Sequence, residues 1–366
     1  MNDDERRSTP LAKALARRAY SALLGLGAVA TVPFSGKRGA PLVQYGGAIT
    51  GDVGGPLVKV KRLTEFFPEE RLRYNLVYAL SNAPYLPNLA LALLKRHGIP
   101  IVHNQNGVFY PAWYSGDWKA ENARMARTYH QANYVFWQSE FCRRASDQFL
   151  GQRSGPGEIL YNAVDTKCFV PRETRLDGPV VFLMTGKMDL HLYYRVENAL
   201  LGFAAAVQSG LDARLHLAGW MQPMAEMRAR TRVASLGIAD RVVFLGRYTQ
   251  SEAPEVYRSA HVYVSTKHND ACPNAVIEAM ACGLPVVYSA SGGVPELVGD
   301  AGYGVSVPEV WDEPQVPPVD QLAAAMVSAA ARTSELAASA RARAVAKFDI
   351  GHWIDRHRAI FESLTR

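Results

Sequence analysis

Two acidic residues, Asp270 and Glu278, stand eight positions apart in the stretch 262–298. Its pattern predicts a strand, a loop, a short helix, a second strand and a glycine turn that opens another helix. Asp270 falls in the loop. Glu278 falls about one turn into the helix, which is expected to begin near Pro273 and Asn274. Because ligands of open α/β sheets bind outside the carboxyl ends of the strands, both carboxylates are placed to meet the hydroxyl groups of a ligand.

The next loop of the same stretch carries a second feature. Gly292 and Gly293 precede a predicted helix with Pro295 in its first turn. Glycines at that point leave backbone N–H groups exposed at the positive end of a helix dipole, which is an arrangement that binds anions and most often phosphate. Carboxylates for hydroxyls and N–H groups for phosphate on adjacent loops indicate a sugar-nucleotide pocket.

Two cations follow another predicted strand. The apolar run 180–185 ends in Gly186, with Lys187 directly after it and Arg195 at the start of the next helix. Cations beside a glycine turn at the carboxyl end of a strand suit a diphosphate group. The alternative is that both are solvated surface charges.

Length and composition limit the classes of function. The 366 residues favour two domains, and a net charge of +6 favours anionic partners. The basic residues are scattered and no nucleic-acid-binding motif is present, which argues against a nucleic-acid partner. The four cysteines lack C-x-x-C spacing, so we expect neither a zinc site nor disulfides. Free cysteines fit a protein of a reducing compartment. No D-x-D pair is present to bridge a metal and a diphosphate, so we expect no metal.

Strands and helices alternate along the chain, which predicts parallel, doubly wound α/β sheets. The first half is expected to hold strands at 41–45, 74–80, 99–103, 134–138 and 159–160, and helices at 56–67, 86–97, 119–131 and 140–149. The second half is expected to hold strands at 180–185, 215–218, 242–245, 261–265 and 285–289, one long helix at 320–347 and an amphipathic helix at 349–364. The segment 165–179 is interpreted as a linker. The predicted divisions are an extension at 1–40, a first domain at 41–165 completed by a helix at 349–366, and a second domain at 166–348.

The extension places basic residues before an apolar run from Ala19 to Phe34. Four interpretations remain open. They are a signal peptide, a transmembrane helix, a basic helix on an anionic membrane surface, and a locally packed or frayed extension.

Two features of the first half are ambiguous. The segment 46–55 is rich in glycine and allows a close approach of the backbone to a ligand, but it does not match the dinucleotide fingerprint G-x-G-x-x-G. His103 stands at the predicted end of a strand, before a polar cluster. It is either an active-site group or a structural histidine bonded to backbone.

These residues resemble the retaining glycosyltransferases of family 4, which have the GT-B fold. The most specific match is Asp270-x7-Glu278 followed by Ala-Met-Ala-Cys-Gly-Leu-Pro-Val-Val, together with Gly-Gly-Val-Pro-Glu at 292–296. Weaker matches are Tyr-Asn-Ala-Val-Asp at 161–165, Gly186-Lys187, Gln-Ser-Glu-Phe at 138–141 and the glycine segment 46–55.

The resemblance implies two Rossmann-like domains that face each other across a cleft, with a C-terminal helix that returns to the first domain. The second domain would bind a nucleoside-diphosphate sugar of the UDP or GDP type, and the first would bind a saccharide or lipid-linked acceptor. The resemblance implies a metal-independent hexosyl transfer that retains the anomeric configuration, with no further cofactor.

The resemblance also implies roles for individual residues. Glu278 would hold the ribose hydroxyls, Asp270 would face the donor sugar, and His103 would lie near the anomeric carbon. Lys187 and Arg195 would neutralise the diphosphate. The remaining donor-binding candidates are Gly47, Gly54, Gly55, Gly186, Arg247, Pro273, Asn274, Ala275, Gly292 and Gly293.

Three residues depart from the family pattern. Asp270 is one methylene shorter than the usual Glu, Lys187 replaces Arg, and Arg195 is assigned in place of a Lys-Gly pair.

Two alternative functions remain beside the transferase, a nucleotide-sugar 2-epimerase of the same fold and a non-catalytic nucleotide-sugar-binding subunit. A nicotinamide dehydrogenase is disfavoured. The cysteine usage favours a cytoplasmic enzyme, and the basic N-terminus suggests peripheral contact with an anionic membrane, at its inner face.

Overall fold

The computed structural model describes residues 11–51, 55–83, 86–174 and 177–366. The chain divides into two compact units. The first comprises Met1–Tyr161 and Gly351–Arg366, and the second comprises Asn162–Ile350.

The first unit contains a five-stranded parallel sheet. Its strands are β1 (Val43–Gln44), β2 (Leu76–Leu80), β3 (Ile101–Gln105), β4 (Tyr134–Trp137) and β5 (Gly157–Ile159). Its helices are α1 (Leu11–Thr31), α2 (Gly55–Phe66), α3 (Asn88–Arg96), α4 (Trp118–Gln131), α5 (Glu140–Leu150) and, from the end of the chain, α13 (Ile350–Thr365). The strands lie side by side in chain order. The central strands β2 and β3 are buried along their whole length, as expected for a parallel sheet covered on both faces.

The last helix, α13, completes the core of the first unit. Phe361 packs edge-on against Phe67 and Tyr78, with centroids 5.0 and 5.8 Å apart. His357 is fully buried between Tyr78 and Phe136. Its Nδ1 lies 2.8 Å from the Trp353 carbonyl oxygen, and its Nε2 lies 3.1 Å from the Tyr78 hydroxyl. A neutral ring that donates from Nδ1 and accepts at Nε2 satisfies both contacts.

We expect His357 to make the first unit sensitive to acid. Burial, with a smaller contribution from the Lys59 charge, lowers the pKa of His357 to about 3. The unfolded chain therefore takes up the proton first. The contribution of the neutral, buried His357 to the free energy of unfolding is complete above about pH 6.5. It declines as the pH falls from there towards 3, and about 2 kcal/mol is lost at pH 5. The measurement is the free energy of unfolding at pH 7 and pH 5, and His357→Gln should reduce its pH dependence by that amount. His352→Gln, at an exposed position of the same helix, is the matched control. An equal pH dependence in wild type and His357→Gln would contradict this account.

The second unit contains a six-stranded parallel sheet. Its strands are β6 (Val180–Thr185), β7 (Ala213–Ala218), β8 (Val242–Gly246), β9 (Val262–Ser265), β10 (Val286–Ala290) and β11 (Gly302–Ser306). Its helices are α6 (Tyr193–Gln208), α7 (Pro223–Ser235), α8 (Ala253–Arg258), α9 (Asn274–Ala281), α10 (Val294–Val298), α11 (Val319–Ala331) and α12 (Thr333–Phe348).

The order of the strands in this sheet is β11-β10-β9-β6-β7-β8. The chain starts in the middle at β6, builds outward to β8, and then returns to β9 on the other side of β6. The order therefore reverses between β6 and β9. Such a reversal separates the two loops that leave the adjacent strand ends and opens a crevice at the carboxyl edge, where doubly wound sheets bind their ligands.

Three glycines allow the loops at this edge to pack closely. The N–H group of Gly186 donates to the Ala218 carbonyl at 3.0 Å, and that of Gly219 donates to the Gly246 carbonyl at 2.7 Å. A Cβ on Gly219 would lie 2.2 Å from the Gly186 carbonyl oxygen, so no larger residue fits there without movement of the backbone.

The sequence misses one strand of the second unit, and one predicted helix is wrong. The strand β11 is not predicted because Gly302–Ser306 is short, contains two glycines and is an edge strand with one buried side chain. The single helix predicted at 320–347 is divided at Arg332 into α11 and α12. The two helices pack on different partners, α11 on α6 and α12 on α9, and a straight helix would not serve both.

The segment before β1 admits four interpretations from its sequence. It forms the 21-residue helix α1, which packs on α3. Within the described part of the chain, no helix combines the length and the apolar character that a membrane span needs.

Candidate donor site at the carboxyl edge of the second sheet

The loop after β9 is held in place by the loops around it. The N–H group of Asn269 donates to the Ser291 hydroxyl at 3.0 Å, and its side-chain amide donates to the Val310 carbonyl at 3.0 Å. Among the described residues, Asn269 is the one non-glycine residue with a positive φ, 51°. These contacts hold the following residue, Asp270, in a defined position.

The glycine turn packs directly on Asp270. The N–H group of Gly293 donates to the Asp270 carbonyl at 2.8 Å. Gly292 has φ 66°, and a Cβ at this position would lie 2.4 Å from the Asp270 carbonyl oxygen. The structure thus brings together two features that the sequence placed on separate loops. It also corrects one prediction, because the N–H group of Gly293 is bonded to Asp270 and is not available to a phosphate.

The carboxylate of Asp270 has a partner that sequence reasoning missed. Lys267 donates from Nζ to Asp270 Oδ2 at 2.7 Å, and both side chains are about four-fifths buried. Lys267 and Asp270 are three positions apart, and this spacing was the only sign of the ion pair in the sequence. In a loop, the backbone conformation decides whether residues at this spacing meet.

Arg195 lies beside the same loop, at the start of α6. Its guanidinium donates to the Lys187 carbonyl, and its own carbonyl accepts from the Thr266 hydroxyl at 2.7 Å. The buried Nε of Arg195 has no hydrogen-bond partner among the described residues. An unpaired guanidinium donor at the crevice fits an anionic ligand.

Tyr194 connects the first turn of α6 to the loop after β9. Its hydroxyl accepts from the His268 N–H at 3.2 Å. Burial raises the pKa of Tyr194 to about 12, the Asp270 charge adds to the rise and the Arg195 charge opposes it. Both charged groups therefore act on the same buried phenol, which stays neutral at physiological pH.

Lys187 and Arg247 lie around one indole ring. The Lys187 ammonium is 5.0 Å from the Trp220 ring centroid, and the Arg247 guanidinium is 5.8 Å from it. The Lys187 Nζ atom also lies 3.4 Å from Asp189 Oδ2, and the Lys187 side chain is 58% exposed. Trp220 follows β7, so the loops after three adjacent strands contribute to this group. No pattern in the sequence singles out Trp220.

Glu278 lies in α9 as expected, on the fifth residue of the helix. Its Oε2 accepts from the Tyr257 hydroxyl at 2.9 Å. Burial and the Glu278 charge raise the pKa of Tyr257, so the phenol remains protonated and keeps donating. The Thr185 hydroxyl lies 3.3 Å from the Tyr257 hydroxyl and links Glu278 to the end of β6.

The ends of α9 also agree with the sequence. Pro273 precedes the helix, Asn274 and Ala275 form its first turn, and Gly283 follows it with φ 76°. The buried Oδ1 of Asn274 has no partner among the described residues. Three donor-binding candidates thus surround the N-terminus of the helix that carries Glu278.

The candidates in the first unit have different surroundings. A Cβ on Gly47 would lie 2.5 Å from Leu24 of α1, and the Gly47 carbonyl accepts from the Tyr20 hydroxyl at 2.9 Å. Helix α1 therefore covers Gly47 where a donor phosphate was expected. Gly55 begins α2, and Gly54 lies outside the described residues.

His103 does not stand at the end of its strand. β3 continues to Gln105, and the His103 side chain is 1% exposed. Its Nε2 lies 2.8 Å from Gln105 Oε1, and its ring packs edge-on against Tyr129. Burial lowers the pKa of His103 to about 4. The Nδ1 atom of His103 is also buried, and it has no hydrogen-bond partner among the described residues. One ring nitrogen is thus held by a side chain and the other is unpaired, and a role of His103 near the anomeric carbon stays a prediction.

The carboxyl ends of β2, β3 and β4 present a cluster of amide and hydroxyl groups around one lysine. Lys59 donates to Asn104 Oδ1 at 2.7 Å and to Asn106 Oδ1 at 3.0 Å. Asn106 also binds the Ser81 hydroxyl through its N–H and accepts from Gln138. Amides and hydroxyls in this arrangement are suited to sugar hydroxyl groups.

The chain matches known proteins over most of its length. The model of the Glycosyltransferase Family 4 matches residues 5–167, and the model of Glycosyl transferases group 1 matches residues 179–330. The D-inositol 3-phosphate glycosyltransferase of Mycolicibacterium gilvum is 31% identical over 147 residues, which are 39% of this chain and 29% of that protein. The chain thus spans less than a third of that relative's length.

Solved structures agree over larger shares of the chain. Anabaena HepE in complex with UDP has a TM-score of 0.64 at 20% identity, over 84% of this chain and 82% of that one. Sucrose-phosphate synthase from Thermosynechococcus elongatus has a TM-score of 0.67 at 17% identity, over 90% and 99% of the two chains. These likenesses establish the GT-B fold. Since both halves of the chain match models of one group of enzymes, the protein belongs to the family 4, group 1 glycosyltransferases.

Proposed function

We propose that the protein transfers a hexosyl group from a nucleoside-diphosphate sugar to a saccharide or lipid-linked saccharide acceptor, with retention of anomeric configuration and without a metal. One observation carries the proposal. The carboxyl edge of the second sheet, around the reversal between β6 and β9, gathers two carboxylates and several cations. UDP is the nucleotide in the HepE structure, and a UDP or GDP donor is proposed here.

The residues of the second unit divide the work on the donor. Glu278, held by Tyr257, binds the ribose hydroxyls, and Asp270 faces the sugar. Lys187 and Arg195 bind the diphosphate, and Arg247 with Trp220 lies beside them. In the reaction, the bond between the anomeric carbon and the diphosphate oxygen breaks and a bond to the acceptor oxygen forms. The acceptor proton passes to the departing phosphate oxygen on the same face of the sugar.

The cations supply the stabilisation that a metal would otherwise provide. Negative charge develops on the diphosphate as it departs, and fixed cations stabilise that charge more in the transition state than in the ground state. Arg195 is suited to this because its Nε is buried without a partner among the described residues and its carbonyl is fixed by Thr266. The absence of a D-x-D pair from the sequence is in keeping with this assignment.

The first unit is proposed to bind the acceptor. The polar cluster of Lys59, Asn104, Asn106 and Gln138 supports this, since it offers amide groups at the carboxyl ends of the strands. The donor and acceptor assignments are independent, so substitutions in the second unit test the first assignment and substitutions in the first unit test the second.

Removal of the cations should impair donor use. We expect Arg195→Met to lower kcat/KM for the donor by about 10- to 100-fold, the range for a lost hydrogen bond to a charged group. Lys187→Ala should have a smaller effect, because its ammonium is largely exposed and screened. The measurement is release of the nucleoside diphosphate at varied donor concentration with a chelator present. Arg241→Met is the matched control, since Arg241 precedes β8 at the amino edge of the same sheet and pairs with Asp212. Equal activity of Arg195→Met and Arg241→Met would contradict the assignment.

One observation favours a second candidate, a non-catalytic nucleotide-sugar-binding subunit. The carboxylate of Asp270, already one methylene shorter than the family residue, is engaged by Lys267. Such a protein would bind the nucleotide with the same dependence on Arg195 and Glu278, but it would neither transfer nor hydrolyse the sugar. Release of free nucleoside diphosphate from the intact donor separates the two candidates.

A further inference from the structure

The helix α1 exposes an apolar face. Leu15, Leu23, Leu26 and Val29 are 56, 64, 67 and 49% exposed, and they recur at the spacing of one side of a helix. Exposed alanines on the same side of the helix extend this apolar surface, namely Ala19, Ala22 and Ala30. Phe34, just beyond the helix, is 72% exposed. A surface helix of a globular protein normally shows the opposite arrangement, with its polar side towards water.

The other face of α1 is anchored to the first unit. Arg17 pairs with Glu121 at 3.1 Å, and the Tyr20 hydroxyl donates to the Gly47 carbonyl at 2.9 Å. Gly25 and Ala28 are buried, and a Cβ on Gly25 would lie 3.2 Å from Pro87. Since these contacts fix the rotation of the helix, its apolar side cannot turn inward without breaking them.

The segment around α1 is strongly basic. Residues 6–51 contain seven lysines and arginines and no aspartate or glutamate. Of these cations, Arg18, Lys37 and Arg38 are exposed in the structure. An apolar strip flanked by cations is complementary to an anionic lipid bilayer, whose headgroups bind the cations while the strip enters the acyl boundary.

We propose that α1 docks the protein on an anionic phospholipid membrane, lying along the surface with Leu15, Leu23, Leu26 and Val29 inserted. The charge distribution favours a bilayer over a second copy of the chain, because two copies would bring like charges together. The inference adds a partner to the proposed transferase and places its acceptor at the membrane. Docking does not depend on the donor site, so vesicle binding and nucleotide binding report on the two proposals separately.

Vesicle flotation with the whole 366-residue chain tests the proposal. The probes are vesicles of phosphatidylcholine alone and of phosphatidylcholine with phosphatidylglycerol. We expect the protein to bind only the vesicles that contain phosphatidylglycerol, and salt should weaken this binding. The double substitution Leu23→Glu with Leu26→Glu should raise the dissociation constant at least about 100-fold. Val327→Glu with Val345→Glu is the matched control. It also adds two carboxylates at exposed apolar helix positions, 38 and 40% exposed, and should bind vesicles as wild type does.

The circular dichroism spectrum and melting temperature of each variant show that it is folded. Three results would overturn the proposal. They are equal binding to neutral and anionic vesicles, equal loss in the α1 variant and its control, and a concentration-dependent dimer that Leu23→Glu with Leu26→Glu dissolves in the absence of lipid.

Discussion

Replacement of Glu278 by alanine should lower kcat/KM for the donor by about 10- to 100-fold, the expected cost of a lost charged hydrogen bond to the ribose. The loss should lie mainly in KM, because the ribose is remote from the bond that breaks and its contact is the same in the ground and transition states. Donor saturation kinetics measure this split.

Tyr257→Phe provides the graded control for Glu278. It keeps the buried ring and removes the hydroxyl that donates to Glu278 Oε2 at 2.9 Å. Glu278 then keeps its charge but loses one positioning contact, so we expect a smaller rise in KM than in Glu278→Ala. Wild-type kinetics in Glu278→Ala, with an unchanged melting temperature, would remove Glu278 from the donor site.

Replacement of Gly292 by alanine should impair both stability and donor binding. The new Cβ would lie 2.4 Å from the carbonyl oxygen and 2.7 Å from the backbone nitrogen of Asp270. Neither atom belongs to a flexible side chain, so the loop that carries Lys267 and Asp270 must move. We expect a loss of at least about 3 kcal/mol in unfolding free energy, from backbone strain and steric overlap together.

Gly237→Ala separates the two contributions. Gly237 has φ 67°, nearly the same as the 66° of Gly292, but a Cβ added there would have no heavy atom within 4 Å beyond its chain neighbours. Alanine there should cost about 1–2 kcal/mol for the left-handed conformation alone and leave donor binding unchanged. Denaturant unfolding and nucleotide titration of both variants measure the two effects. Equal destabilisation, with donor binding intact in both, would contradict the role of the close approach.

The strands of the second unit were largely predictable because they are buried on both faces. β6, β9 and β10 read as apolar runs, and each corresponds to a predicted strand. The edge strand β11 has no such run. The two-acid pattern at Asp270 and Glu278 was equally visible, since a loop residue and a residue one turn into a helix follow from local signals.

What the sequence did not reveal depends on contacts between distant segments. Whether Gly293 offers its N–H group to a ligand is decided by the Asp270 carbonyl, 23 residues away, and the sequence does not contain that approach. The ion pair of Lys267 with Asp270, and the approach of Lys187 and Arg247 to the Trp220 ring, are also contacts that form only in the folded chain. The position of His103 was misjudged because β3 extends through polar residues that pair with β4.

Titration calorimetry with UDP, GDP, ADP and NAD in the presence of a chelator tests the central claim most directly. We expect UDP or GDP to bind at one site per chain, the chelator to have no effect, and Glu278→Ala and Arg195→Met to weaken binding while Arg241→Met does not. Binding of NAD alone, a strict requirement for a metal, or equal affinity in Glu278→Ala and wild type would contradict a nucleoside-diphosphate-sugar site at the carboxyl edge of the second sheet.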